Sequence, residues 1–108
     1  MTLGLPDLLI CDHKHKFHFV ELKYARFNKV KISPQQVSWI SLHKEASVWI
    51  LVKSTQGLHL YRAEQVIQLK EEGIKLAPHY FCPDPYDWVK IFDLLLYKKS
   101  HTILNNIN

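Results

Sequence analysis

Cysteine is scarce: Cys11 and Cys82 are the whole supply in 108 residues. Two thiols make neither a disulfide framework nor a zinc cluster. In a reducing compartment both are expected to be free and at least partly buried. No run of residues is apolar for long enough to span a bilayer. The segment from Met1 to Pro6 has no basic stretch followed by a hydrophobic run, so no secretory signal is expected and the default location is the cytoplasm. Repeats, low-complexity segments and internal linkers are also lacking. There is no glycine-rich phosphate loop, and Ser54 sits in no nucleophile motif. Acidic residues are the minority charge, 10 against 14 Lys and Arg, for a net charge of +4 with neutral histidines. That mild excess suits a polyanionic partner without demanding one.

What is present reads as one domain over residues 1–99, with an Asn-rich tail over 100–108 expected to fray. A hydrophobic fraction of 47% and a charged fraction of 22% are ordinary for a globular chain. A chain this short buries a modest core, so self-association would help its stability. Asp7 to Cys11 and Phe17 to Lys23 read as strands, with the polar stretch Asp12 to Lys16 as the hairpin loop between them. Tyr24 to Ile32 reads as a basic connector carrying Arg26, Lys29 and Lys31. Ser33-Pro34 opens a helix running to about Lys44, with Ser as N-cap and Pro at its first position.

Val48 to Val52 is a short, continuous apolar run, which predicts a strand covered on both faces. Gly57 permits a turn, Leu58 to Tyr61 is a short strand, and Glu64 to Glu72 is a helix stopped by Gly73. Asp84-Pro85 is expected to cap a third helix. Trp88, Ile91, Leu94 and Leu95 form its apolar stripe, and Lys98 and Lys99 sit at its C-terminal end. The order strand, strand, helix, strand, strand, helix, helix predicts an α/β (α+β) sandwich, a mixed sheet packed by helices.

The first hairpin carries the chemistry. If its loop is centred on Lys14, Asp7 lies opposite Glu21, and directly paired residues have Cβ atoms about 4.5–5.5 Å apart. Two carboxylates at that spacing repel unless a cation sits between them. A hard divalent ion such as Mg²⁺ takes one or two carboxylates and keeps several waters. Lys23, two residues beyond Glu21, points to the same face. An isolated Glu-x-Lys is usually a solvated pair. Here Phe17 and Phe19 share its face, while Leu8, Ile10, Val20 and Leu22 line the other, so the hairpin is a core element.

Gly4-x-Pro6-Asp7, a strand, a turn, Phe19-Val20-Glu21-Leu22-Lys23 and then Ser33-Pro34-Gln35-Gln36-x-x-Trp39 together resemble the PD-(D/E)XK nuclease superfamily. The likeness is greatest to its small VRR-NUC and phage Holliday-junction-resolvase-like branches, and it spans Gly4 to Val52, about half of the chain. It implies a restriction-endonuclease-like core and a metal-dependent DNA endonuclease. Asp7, Glu21 and the backbone carbonyl of Leu22 would bind Mg²⁺ or Mn²⁺, Lys23 would be catalytic, and Gln36 would lie near the site. Gln36 also completes a Ser33-x-x-Gln36 capping box, and the two roles are compatible.

Family members usually carry a further acid on a helix before the Gly-x-Pro-Asp segment, and Met1 stands three residues before Gly4. Three accounts remain open: a second polypeptide supplies the acid, two carboxylates suffice with more water, or the chain is a truncated, split or weakened nuclease. A homodimer is expected, since it would set two sites on two strands. Arg26, Lys29, Lys31 and Ser33 would meet the DNA backbone. Cys11, His13, His15 and His18 invite a zinc reading, but no second ligand pair follows. The histidines are expected in an exposed loop. Trp39, Trp49 and Trp88 are expected in the core.

Overall fold

Side-chain alternation organises the first hairpin. In the computed structural model, which describes residues 4–97, β1 (Leu8–Cys11) and β2 (Phe17–Arg26) pair antiparallel, with Leu8 opposite Val20 and Cys11 opposite Phe17. Asp12 shapes the turn between them. Its Oδ1 accepts from the backbone N–H groups of Lys14 at 2.8 Å and Lys16 at 3.0 Å.

The basic connector is not a connector. β2 continues to Arg26, turns through Phe27 and Asn28, and returns as β3 (Lys29–Val30). Phe27 and Asn28 have φ values of 51° and 68°. Two successive left-handed residues match the twist of a tight hairpin. Asn tolerates that conformation, whereas a bulky Phe gives no sign of it in a sequence.

Ser33 then caps α1 (Pro34–Leu42), accepting from the Gln36 N–H at 3.1 Å. The helix stops two residues short of Lys44. β4 (Val48–Lys53) follows, and β5 (Leu58–Arg62) pairs back against it. The second helix begins as a 3-10 turn (Ala63–Gln65) and becomes α2 (Val66–Glu72), ended by Gly73 at φ 65°. A Cβ on Gly73 would fall 1.9 Å from the Asn28 carbonyl oxygen, so α2 can meet the β2–β3 turn only through glycine.

A further short strand, β6 (Tyr80–Cys82), precedes α3 (Trp88–Leu96). Its three residues are too few to show a period. Asp87, not Asp84, caps α3 by accepting from the Lys90 N–H at 3.0 Å. The cap needs an acceptor immediately before the first helical residue, and the helix starts at Trp88, so Asp87 holds that place while Asp84 lies four residues before it. Lys98, Lys99 and the tail from Ser100 lie outside the described residues.

The six strands form one mixed sheet in the order β1-β2-β4-β5-β6, with β3 also on β2. β2 and β4 run parallel, bridged by α1, and the other pairs are antiparallel. Val48, Ile50 and Val52 face α1 and α2, packing with Ile40, Val66 and Leu69. Trp49 faces the other way with Val20, Leu60 and Leu95 of α3. β4 is therefore covered on both faces, as its unbroken apolar run requires. The protein is a mixed α/β sandwich. Among the described residues no helix is long and apolar enough to cross a membrane.

Trp49 is fully buried, but Trp39 is half-buried against Phe19 and His43, and Trp88 is 48% exposed. Cys82 is buried. Cys11, at the end of the edge strand, is exposed, which corrects its expected burial.

Candidate functional site

Gly4 sets the approach of the segment before β1. It has φ 90°, and a Cβ there would sit 2.2 Å from the Gln35 carbonyl oxygen, so the chain lies directly on the start of α1. Pro6 is buried next to it, and Asp7 emerges exposed just ahead of β1. Extending the register by one residue beyond Leu8 and Val20 sets Asp7 opposite Glu21. Asp7 Oδ2 accepts from the Leu22 N–H at 3.0 Å. β1 stops short of this point, so the carboxylate satisfies a backbone donor that has no strand partner. A residue's N–H and C=O leave a strand on the same side, so the Leu22 carbonyl faces that open edge as well.

Glu21 is 2% exposed. Its Oε2 accepts from Gln36 Nε2 at 2.7 Å and lies 3.4 Å from Lys23 Nζ. Its Oε1 is buried without a partner. Desolvation, reinforced by the charge of Asp7, raises the Glu21 pKa above its ordinary value, against the opposing pull of Lys23.

Gln36 ties the cluster together. Its Oε1 accepts from Lys23 Nζ at 2.9 Å and from the Ser33 N–H at 3.0 Å, while its amide donates to Glu21. One side chain thus closes the helix cap and orients both the acid and the amine. Asp7, Glu21, Lys23 and Gln36 come together at the meeting of β2, the pre-β1 segment and α1. Among the described residues no group of three or more His, Cys, Asp and Glu is arranged to hold a metal ion. The acids here are a pair.

The other expected site residues do not converge on this cluster. The Ser33 hydroxyl is engaged by the helix cap. Strand alternation turns Arg26 to the face opposite Lys23, and Lys29 pairs with it across the hairpin. Arg26, Lys29 and Lys31 instead line a separate groove with Tyr24, Phe27 and Lys70 of α2, about 490 Å³ in volume. The aromatic members and Lys70 escaped sequence reasoning, because only the β2–β3 turn and the packing of α2 bring them together.

His18 also departs from expectation. His13 and His15 are exposed, but His18 is 3% exposed. Its Nε2 lies 2.8 Å from Asp12 Oδ2 and its Nδ1 2.6 Å from Ser47 Oγ. Asp12 is held down to about 2 by that bond first and by the turn amides. Ser47 also accepts from Trp49 Nε1 at 3.2 Å and is 7% exposed, so its oxygen is not presented as a nucleophile. This trio braces the β1–β2 turn against β4. No protein-family model, curated protein or solved structure matches the chain.

Proposed function

We propose that this protein is a metal-dependent DNA endonuclease of the PD-(D/E)XK kind, hydrolysing phosphodiester bonds at structured sites such as a junction, branch or nick. The observation that carries the reading is the buried, unpartnered Oε1 of Glu21, on a residue that the strand register sets opposite a second acid, Asp7. A buried carboxylate with an unpartnered oxygen is costly alone and is relieved by a cation. The donor set is all oxygen, which suits Mg²⁺ or Mn²⁺. Asp7, Glu21 and the Leu22 carbonyl would hold the ion, with water or a second polypeptide supplying the remaining ligands. Such an ion polarises a phosphoryl oxygen and acidifies a bound water.

The residues of the chain do the rest. Gln36 keeps Glu21 Oε2 occupied and leaves Oε1 for the ion. Lys23, braced by the same Gln36, presents an ammonium where charge builds on the phosphoryl group. The parallel β2–α1–β4 arrangement supports the reading, because it is what hangs Gln36 over Glu21. A homodimer would give two such sites, one for each DNA strand. Sedimentation at twice the 12.8 kDa chain mass is the expected result.

The test is cleavage of branched, single-stranded and plasmid DNA with Mg²⁺ or Mn²⁺. Wild type is expected to cut, and Lys23→Ala to lose roughly 10²–10³-fold in rate with DNA affinity retained. Intact binding with no cutting of any substrate under either metal would sink the enzyme reading. It would favour the second one, a nuclease-fold module that binds nucleic acid or awaits a partner chain. That no more than two carboxylates converge there among the described residues is the observation on that side.

A further inference from the structure

The groove on the β2–β3 hairpin is built unlike the rest of the surface. Tyr24 is 76% exposed and Phe27 91% exposed, the latter the most exposed large apolar side chain among the described residues. Phe27 is held at φ 51°, a conformation that bulky residues rarely adopt, and no burial compensates for it. Arg26, Lys29, Lys31 and Lys70 flank the two rings. No Asp or Glu lines the groove, and among the described residues none of the four cations is in a salt bridge. Two naked rings amid unpaired cations match a polyanion that also offers flat apolar faces.

We infer that this hairpin is a stacking platform for unpaired bases of single-stranded DNA, with Tyr24 and Phe27 taking bases and Arg26, Lys29, Lys31 and Lys70 taking phosphates. A blunt duplex hides its base faces, so it can use only the cations. The position fits the route of one strand. β1 pairs with β2 as far as Val20, and β3 resumes at Ala25, so β2 has no strand partner between them on that edge. A single strand crossing this gap passes from the Asp7 and Glu21 face to the face bearing Tyr24 and Arg26. Tyr24 stands three residues beyond Glu21, about 10 Å along the strand, and the Phe27 turn about 20 Å. That is the span of a few nucleotides. The substrate class follows: a flap, gap or unpaired arm adjoining the scissile bond. This last step rests on the nuclease reading, whereas the binding does not.

Fluorescence anisotropy in EDTA separates the two. The probes are labelled twelve-nucleotide oligo-dT, a blunt twelve-base-pair duplex and an acidic peptide of matched charge. Wild type is expected to prefer oligo-dT over both others. Phe27→Asn removes the ring while keeping a residue that tolerates positive φ, so the fold should stand or gain in Tm. Tyr24→Thr keeps a strand-forming residue. Each is expected to weaken oligo-dT binding about 5- to 150-fold, the loss of one base stack, and to leave duplex binding unchanged. Equal affinity for oligo-dT and duplex overturns the platform. So does equal affinity for the acidic peptide, or an unchanged oligo-dT affinity in folded Phe27→Asn. Cleavage retained with oligo-dT binding lost would overturn neither the metal site nor its reading. Binding retained with no cleavage would overturn only the nuclease.

Discussion

Glu21 and Gln36 show how much a single side chain can carry here. Glu21 is buried with one oxygen unpartnered, and desolvation raises its pKa. Its carboxylate therefore weakens the fold fully above that raised pKa, and the penalty disappears as the pH falls below 4.5, the ordinary value, where the unfolded chain is protonated too. Without divalent ions at neutral pH, Glu21→Gln is expected to raise Tm by several degrees, with the gain vanishing toward pH 4. Added Mg²⁺ should raise the Tm of wild type but not of the variant, because an ion that binds only the folded state stabilises it. Thermal melts with and without Mg²⁺ decide this, and a wild type indifferent to the ion speaks against the site. Gln36→Ala removes the cap acceptor for Ser33 and the donor to Glu21 together. A loss of about 1–3 kcal/mol in urea denaturation is expected, with a fall in cleavage rate because Lys23 loses its brace.

The β1–β2 hairpin is held from both ends. Gly4 lets the segment before β1 lie on α1, which fixes where Asp7 emerges, and Asp12 gathers the far turn onto His18. The Asp12 carboxyl, held at about 2 against an ordinary 3.8, contributes stability fully present above 3.8 and lost as pH falls through about 2. Urea midpoints between pH 4 and pH 2 should fall steeply for wild type. Asp12→Asn should flatten that slope and lower stability at pH 7, since His18 and two turn amides lose a charged acceptor. A variant with the same acid slope would place the titration elsewhere. At the β2–β3 turn the same logic operates through Gly73, whose missing Cβ admits the Asn28 carbonyl, where the Ile74 N–H donates to it at 2.8 Å.

At the scale of the whole molecule, the two halves of the proposed chemistry lie at separate places along β2. The paired acids face α1, and the cationic groove lies beyond the β2 edge. DNA affinity should therefore depend on salt largely through the groove. For oligo-dT, four phosphate contacts give an expected slope of log K against log salt near −3, from about −0.7 per contact. Lys29→Ala should reduce that slope by roughly 0.7 and weaken oligo-dT and duplex alike. Lys23→Ala should leave the slope nearly unchanged. Titrations over a range of KCl concentrations check both, and an effect of Lys23 as large as that of Lys29 would move the DNA path from the groove to the paired acids.

The amino-acid sequence alone determined what is local. A five-residue polar turn between two strand-forming runs placed Asp7 against Glu21, and a step of two set Lys23 beside Glu21. Ser33-Pro34-x-Gln36 marked the start of α1, and the unbroken run of β4 marked a strand buried on both faces. Each rests on neighbours a few residues apart, where the pleat and the helical turn leave little choice. Tertiary structure decided the rest. Nothing near His18 in the chain shows that Ser47 will bury it, and nothing near Arg26 shows that Lys70 will stand beside it. Burial and charge at those positions depend on elements packed together from distant parts of the chain. So the paired carboxylates were legible as a candidate site, while the aromatic groove appeared only once β2, β3 and α2 were in place.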